Sequence, residues 1–131
     1  MGEAVPEGEG RGLRVLLVED DGSSRLVLSV LLEEEGFRVD VASSFAEAQG
    51  ALVRSDADHE LVLLDQHLGD GIGTDLVPAI RARLPQARVV IVSGSAEEKE
   101  AALAGCDAVV PKGVSFPDLM ARLTQVLRAP R

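Results

Sequence analysis

The chain has one cysteine, no tryptophan, no tyrosine, and thirteen basic residues against twenty-two acidic ones. Each shortage excludes something. With Cys106 alone no internal disulfide can form, which suits a reducing cytoplasm. Cys106 itself reads as a small packed residue, a reactive thiol being the rarer alternative. No apolar run approaches the roughly 18 residues of a membrane span, so no membrane association is expected. The opening "MGEAVPEGEG" is acidic and lacks a hydrophobic segment, so it is not read as a signal peptide. A formal net charge of −9 repels phosphate backbones and disfavours direct nucleic-acid binding. No repeat at a solenoid period stands out. The aromatics are Phe37, Phe45 and Phe116, expected as core or staple residues.

What is present is enough apolar material for a core: 46% of 131 residues, the size of one ordinary domain. Residues 1–10, built of Gly, Glu and Pro, are expected to form a flexible tail, and residues 11–129 a single domain. Nothing resembling a DNA reader or output module follows the last helix. The end at Arg131 fits both a complete protein and one domain of a longer chain.

Between these limits two patterns alternate. "LRVLLVEDD" is a short continuous apolar run ending in acids, the mark of a strand buried on both faces. "SSRLVLSVLLEEEG" carries a helical stripe, with Gly36 where a helix stop belongs. "RVDVA" predicts a second strand, and "SFAEAQGALVRS" a helix opened by Ser44 and Glu47 at capping-box spacing. "ELVLLD" is the third strand. "TDLVPAIRARL" is the third helix, in which Pro78 demands a start about one turn earlier or a bend. "ARVVIVS" and "DAVV" are the fourth and fifth strands, separated by a fourth helix, "SAEEKEAALAG", with Ser95 to Glu98 as a capping box and Gly105 as its stop. Last, "SFPDLMARLTQVLRA" has Ser115 as N-cap and Pro117 in its first turn. Five strands alternating with five helices predict an α/β fold: an open five-stranded parallel sheet with helices on both faces.

In such sheets ligands bind beyond the carboxyl ends of the strands. Those ends carry Glu19, Asp20 and Asp21 on the first strand, Asp65 on the third, Ser93 on the fourth, and Pro111 and Lys112 on the fifth. Any one of them reads equally well as an ordinary polar strand end. Taken together they conflict electrostatically, because two carboxylates about 5 Å apart repel by roughly 3 kcal/mol at an effective dielectric near 20. Lys112 offsets only part of that. A divalent cation removes it, and partly hydrated oxygen ligands suit Mg²⁺ best. A site holding Mg²⁺ and a lysine, with Ser93 and the amides of "SGS" beside them, suits a phosphoryl group. Asp65 then becomes the candidate nucleophile, attacking phosphorus in line.

These segments strongly resemble the receiver domain of two-component response regulators over about residues 12–128. "VLLVEDDGSSRLVLSVLLEEEGF" resembles the family's first strand, acidic pair and first helix. "LVLLDQHLGDGIGTDLV" resembles its phosphoacceptor segment, including Gly73 eight residues after Asp65. "VVIVSGSAEE" and "GCDAVVPKG" resemble its fourth and fifth strands. The resemblance implies a flavodoxin-like (βα)5 fold of strand order 2-1-3-4-5, with Asp65 as phosphoacceptor. It implies Mg²⁺ ligated by Asp20, Asp65 and the His67 backbone carbonyl, with Glu19 acting mainly through a coordinated water. Ser93 would hydrogen-bond the phosphoryl oxygens and Lys112 would pair with them. Asp21 is left as a solvated neighbour. His67 and Ser95, two positions after Asp65 and Ser93, would modulate the hydrolytic water or else be ordinary solvated residues. His59 reads as a loop histidine.

Three departures from the family pattern stand out. Gly69 replaces the usual proline of the phosphoacceptor turn. Lys112 is followed by Gly113 rather than proline, so a cis bond there is not expected. Ala108, Val109 and Val110 replace the usual fifth-strand aromatic, so a switch through Ser93 and Val109 could make only a small packing change.

The function so implied is a non-enzymatic phosphoacceptor. A histidine kinase or histidine phosphotransfer protein would act upstream. Downstream, a protein partner would meet the face of the fourth helix, fifth strand and fifth helix, with homodimerisation left open. Two other readings compete. A pseudo-receiver would use the same fold without phosphorylation, but such members typically lose an acid or the lysine. A Mg²⁺-dependent phosphohydrolase of the Asp-x-Asp kind is least supported, because Gln66 and His67 follow Asp65 and no cap insertion is present.

Overall fold

The computed structural model describes residues 10–94 and 105–130. The expected fourth helix and Ser95 therefore lie outside the described residues.

Five strands form one sheet: β1 (Arg14–Val18), β2 (Arg38–Ala42), β3 (Leu61–Asp65), β4 (Arg88–Ser93) and β5 (Ala108–Pro111). All neighbours pair in parallel, in the spatial order β2-β1-β3-β4-β5. This is the flavodoxin-like order, with β3 at the centre. Every residue of β3 is buried, which is why "LVLL" shows no polar alternation.

Alternate strand residues serve two cores. Leu16, Val18, Val62, Leu64, Val89 and Ile91 pack with Ala48 and Leu52 of α2 (Phe45–Leu52) and with Val77 and Ile80 of α3 (Val77–Arg83). Val15, Leu17, Leu61, Leu63, Val90 and Val110 pack on the opposite face with Leu32 of α1 (Gly22–Glu34) and with Leu119, Met120 and Leu123 of the C-terminal helix (Phe116–Arg128). Burying one such leucine side chain contributes about 1.5–3 kcal/mol, so the sheet is held from both faces. Phe37 lies in the second core, while Phe45 and Phe116 pack half-buried against the first and second.

The helix ends follow their local signals. Gly36 sits at φ 98° just past α1, and the Gly36 and Phe37 N–H groups bond the Glu33 and Leu32 carbonyls, closing a Schellman turn. Ser44 Oγ accepts the Glu47 N–H at 3.0 Å. The returning Glu47 carboxylate reaches one residue further than a capping box requires, accepting from the Ser43 N–H and hydroxyl at 2.7 Å each. Ser115 caps the C-terminal helix, and Pro117 sits in its first turn, where a missing N–H costs nothing. Pro78 likewise lies in the first turn of α3, preceded by a 3₁₀ turn over Gly73–Leu76.

Two features depart from the sequence reading. His67–Leu68 and Gly71–Ile72 form a two-residue antiparallel ladder, so the turn after Asp65 is a small folded hairpin. His59 does lie in a loop, but it is buried there: it is 5% exposed, with Nε2 2.8 Å from Asp40 Oδ2. Among the described residues no helix is long and apolar enough to cross a membrane.

Candidate functional site

Parallel pairing sets Val18 beside Leu64, Asp65 beside Val92, and Ser93 beside Pro111. The residues that follow each strand must therefore converge at one edge of the sheet. Glu19, Asp20 and Asp65 each bring a carboxylate oxygen to within 4.8 Å of the others. Lys112 Nζ lies 3.2 Å from Asp65 Oδ2, with its side chain about half exposed. The sequence-derived acid trio and its lysine are brought together.

Their burial is graded. Asp65 is 3% exposed, Glu19 is intermediate, and Asp20 faces solvent. The Glu19 carboxyl is pushed up first by burial and then by the neighbouring Asp65, against the opposing pull of the Asp21 N–H and of Lys112. Burial pulls the Lys112 ammonium down, yet Asp65, Glu19 and Asp20 together outweigh it and its pKa is raised. At 4.8 Å two carboxylates such as Glu19 and Asp65 repel by about 3 kcal/mol at an effective dielectric near 20. Lys112 pairs with Asp65 Oδ2 by charge, yet among the described residues no donor meets that buried oxygen in hydrogen-bonding geometry. A buried anionic oxygen without a directed donor, facing two further carboxylates, is what a hard divalent cation would satisfy. The donor set fits Mg²⁺.

The other expected residues are placed less directly. Ser93 is fully buried at the end of β4, but its hydroxyl donates to the Gly94 carbonyl at 3.1 Å rather than to Asp65. His67 is exposed, with its backbone N–H 3.4 Å from Asp65 Oδ1. Val109 is half-buried on the α2–α3 side of the sheet, whereas Val110 is fully buried on the other. Gly113 has φ 89°, a conformation closed to proline, and no cis peptide occurs among the described residues. Asp21 does more than stand in solvent. Its carboxylate caps α1 by accepting the Ser24 N–H at 2.8 Å, which holds it below the usual carboxylate range.

Several residues that shape the site carry no role in the sequence reading. Gln66 is fully buried; its side-chain carbonyl accepts the Thr74 N–H at 3.0 Å and its amide donates to the Thr74 hydroxyl at 3.4 Å. The Gly69 N–H donates to Asp20 Oδ2 at 3.2 Å. Asp70 accepts from the Phe45 and Ala46 N–H groups. Gly73 is glycine because a Cβ would stand 2.4 Å from the Asp65 carbonyl oxygen. No local pattern marks Gln66, which stands between Asp65 and His67 in a polar turn. Asp70 caps a helix that begins 25 residues earlier, which no local pattern signals.

The acid cluster opens onto a groove of about 700 Å³ between α1 and the C-terminal helix. Glu19, Asp20 and Lys112 line one end, and Val27, Leu31 and Phe116 lie further along.

The response regulator receiver domain family matches residues 15–124. The cell cycle transcriptional regulator CtrA of Caulobacter vibrioides is 30% identical over 119 residues, 88% of this chain and 51% of CtrA. This chain thus spans about half the length of that relative. The non-phosphorylated HemR receiver domain from Leptospira biflexa superimposes with a TM-score of 0.79 at 31% identity, covering 91% of this chain and 97% of that one. The response regulator TrrA from Thermotoga maritima, solved in complex with Mg²⁺-BeF, does so with a TM-score of 0.77 at 25% identity, over 87% and 98% of the two chains. This chain belongs to the response regulator receiver domain family, a family of signalling domains.

Proposed function

We propose that this receiver domain accepts a phosphoryl group on Asp65, in a Mg²⁺-dependent reaction, from the phosphohistidine of a histidine kinase or histidine phosphotransfer protein. The observation that carries the reading is the Lys112 ammonium 3.2 Å from Asp65 Oδ2, beside two further acids within 4.8 Å. An Asp65 oxygen attacks phosphorus, the phosphorus–nitrogen bond breaks, and the imidazole leaves with its electron pair. Asp65 then holds an acyl phosphate.

Glu19, Asp20, Asp65 and the His67 carbonyl would hold the Mg²⁺, which when bound neutralises charge on the phosphoryl oxygens. Lys112 stands where it can pair with one of those oxygens. Ser93 reaches another once its hydroxyl turns from the Gly94 carbonyl, and that turn is the link from chemistry to signalling. On β5, two residues before the Pro111 that pairs with Ser93, Val109 offers a small side chain to repack, so the switch is a modest change in a protein-binding face rather than a ring movement. His67, exposed two residues from Asp65, and Ser95 are assigned to the lifetime of the acyl phosphate. The groove beside α1 offers the phosphodonor a way to the acids. The domain is a signalling phosphoacceptor rather than an enzyme acting on other molecules, and its single cysteine suits the cytoplasm.

Incubation of the chain with acetyl phosphate and Mg²⁺ should add one phosphoryl group by intact mass. An unshifted wild-type chain, or an equally shifted Asp65→Asn variant, would defeat this function.

A further inference from the structure

The loop after Asp65 is pinned at three places. Its root is closed by Gln66, whose side chain engages Thr74 and whose backbone carbonyl accepts the Gly73 N–H at 2.7 Å. Its flank is held by Asp70 on the first turn of α2. Its tip touches the acid cluster itself, where the Gly69 N–H meets Asp20 Oδ2 at 3.2 Å. Asp20 is the exposed member of the trio. An exposed carboxylate rotates freely unless something restrains it, and ordering it costs entropy when a cation arrives.

We propose that Gly69 is a positioning residue whose backbone N–H holds the Asp20 carboxylate in place beside Glu19 and Asp65, and so raises the affinity of the cluster for a divalent cation. The inference deepens the proposed function and rests on it. Position 69 does not need glycine for conformational freedom, because Gly69 is not among the glycines at positive φ. Nor does it need the absence of a side chain: the nearest atom a Cβ would meet is Asp20 Oδ2, at an ordinary 3.9 Å. The residue supplies an N–H. Proline, the residue that the resemblance leads one to expect there, has none. Donors to a ligating carboxylate fix its orientation, and losing one typically costs about 10–100-fold in metal affinity.

The test compares Mg²⁺ binding by calorimetry in the full chain, Gly69→Ala and Gly69→Pro. Alanine keeps the N–H and should bind like the wild type, whereas proline should bind about tenfold more weakly or worse. A second measurement reads the contact from the other side without metal. Amide exchange at Gly69 should accelerate in Asp20→Ala, and it decides alone if the proline variant does not fold. Equal affinity in Gly69→Pro, equal losses in both variants, or unchanged Gly69 exchange in Asp20→Ala would each overturn the inference and leave the phosphoacceptor function standing. A wild-type chain that binds no Mg²⁺ would remove both.

Discussion

Asp70 accepts the Phe45 N–H at 2.8 Å, and through the same carboxylate the Ala46 N–H at 3.1 Å, so the loop that follows Asp65 itself caps α2. With the Glu47 N–H bonded to Ser44 Oγ, the first three donors of that helix are all satisfied. Gly71 makes the approach possible, since a Cβ there would stand 2.6 Å from the Phe45 ring.

Asp70→Asn should therefore lower the thermal midpoint and do so in a pH-dependent way. The Phe45 N–H first, then the Ala46 N–H, hold the Asp70 carboxyl below the ordinary carboxylate range. A depressed folded pKa contributes stability above the unfolded value, near 4, that is lost as pH falls through the folded value. The gap between wild type and Asp70→Asn should be widest near neutral pH and close on acidification. Thermal melts across that range check it, and a gap that stays constant with pH would contradict the capping role.

Gln66→Leu keeps the bulk of a fully buried side chain but strips the Thr74 N–H of its acceptor. Leaving a donor unsatisfied costs about 1–3 kcal/mol, which urea unfolding would report. Mg²⁺ affinity should fall as well, because the same loop carries Gly69. Full stability in Gln66→Leu would show that the clamp is dispensable.

Mg²⁺ should raise the unfolding midpoint of the wild-type chain, and chelation should reverse the gain. At a metal concentration about 100-fold above Kd the stabilisation is about 2.7 kcal/mol. Asp20→Asn should abolish most of the shift while leaving the metal-free midpoint close to wild type, since Asp20 is exposed.

Lys112→Met separates two quantities that a general loss of structure would move together. Removing the ammonium beside Asp65 leaves Glu19, Asp20 and Asp65 less neutralised, so Mg²⁺ affinity should rise several-fold. Labelling by acetyl phosphate should fall, because the phosphoryl oxygens lose their cation. Calorimetry and intact mass on one preparation give both readings, and a parallel fall in the two would argue against the assigned role.

The sequence by itself determined the five strands, the Ser44 and Ser115 caps, the Gly36 stop, and the convergence of Glu19, Asp20, Asp65 and Lys112. These follow from short-range rules: apolar runs, caps within one helical turn, and parallel pairing that brings successive strand ends to one edge. Only the tertiary structure decided how the loops are tied: Gln66 to Thr74 across 8 residues, His59 to Asp40 across 19, Asp70 to Phe45 across 25, Gly69 to Asp20 across 49. It also turned the Ser93 hydroxyl onto Gly94 instead of Asp65. A hydrogen bond between two loops has no period and no fixed spacing. It depends on where packing delivers one donor and one acceptor, which is set by the whole sheet and by no segment of it.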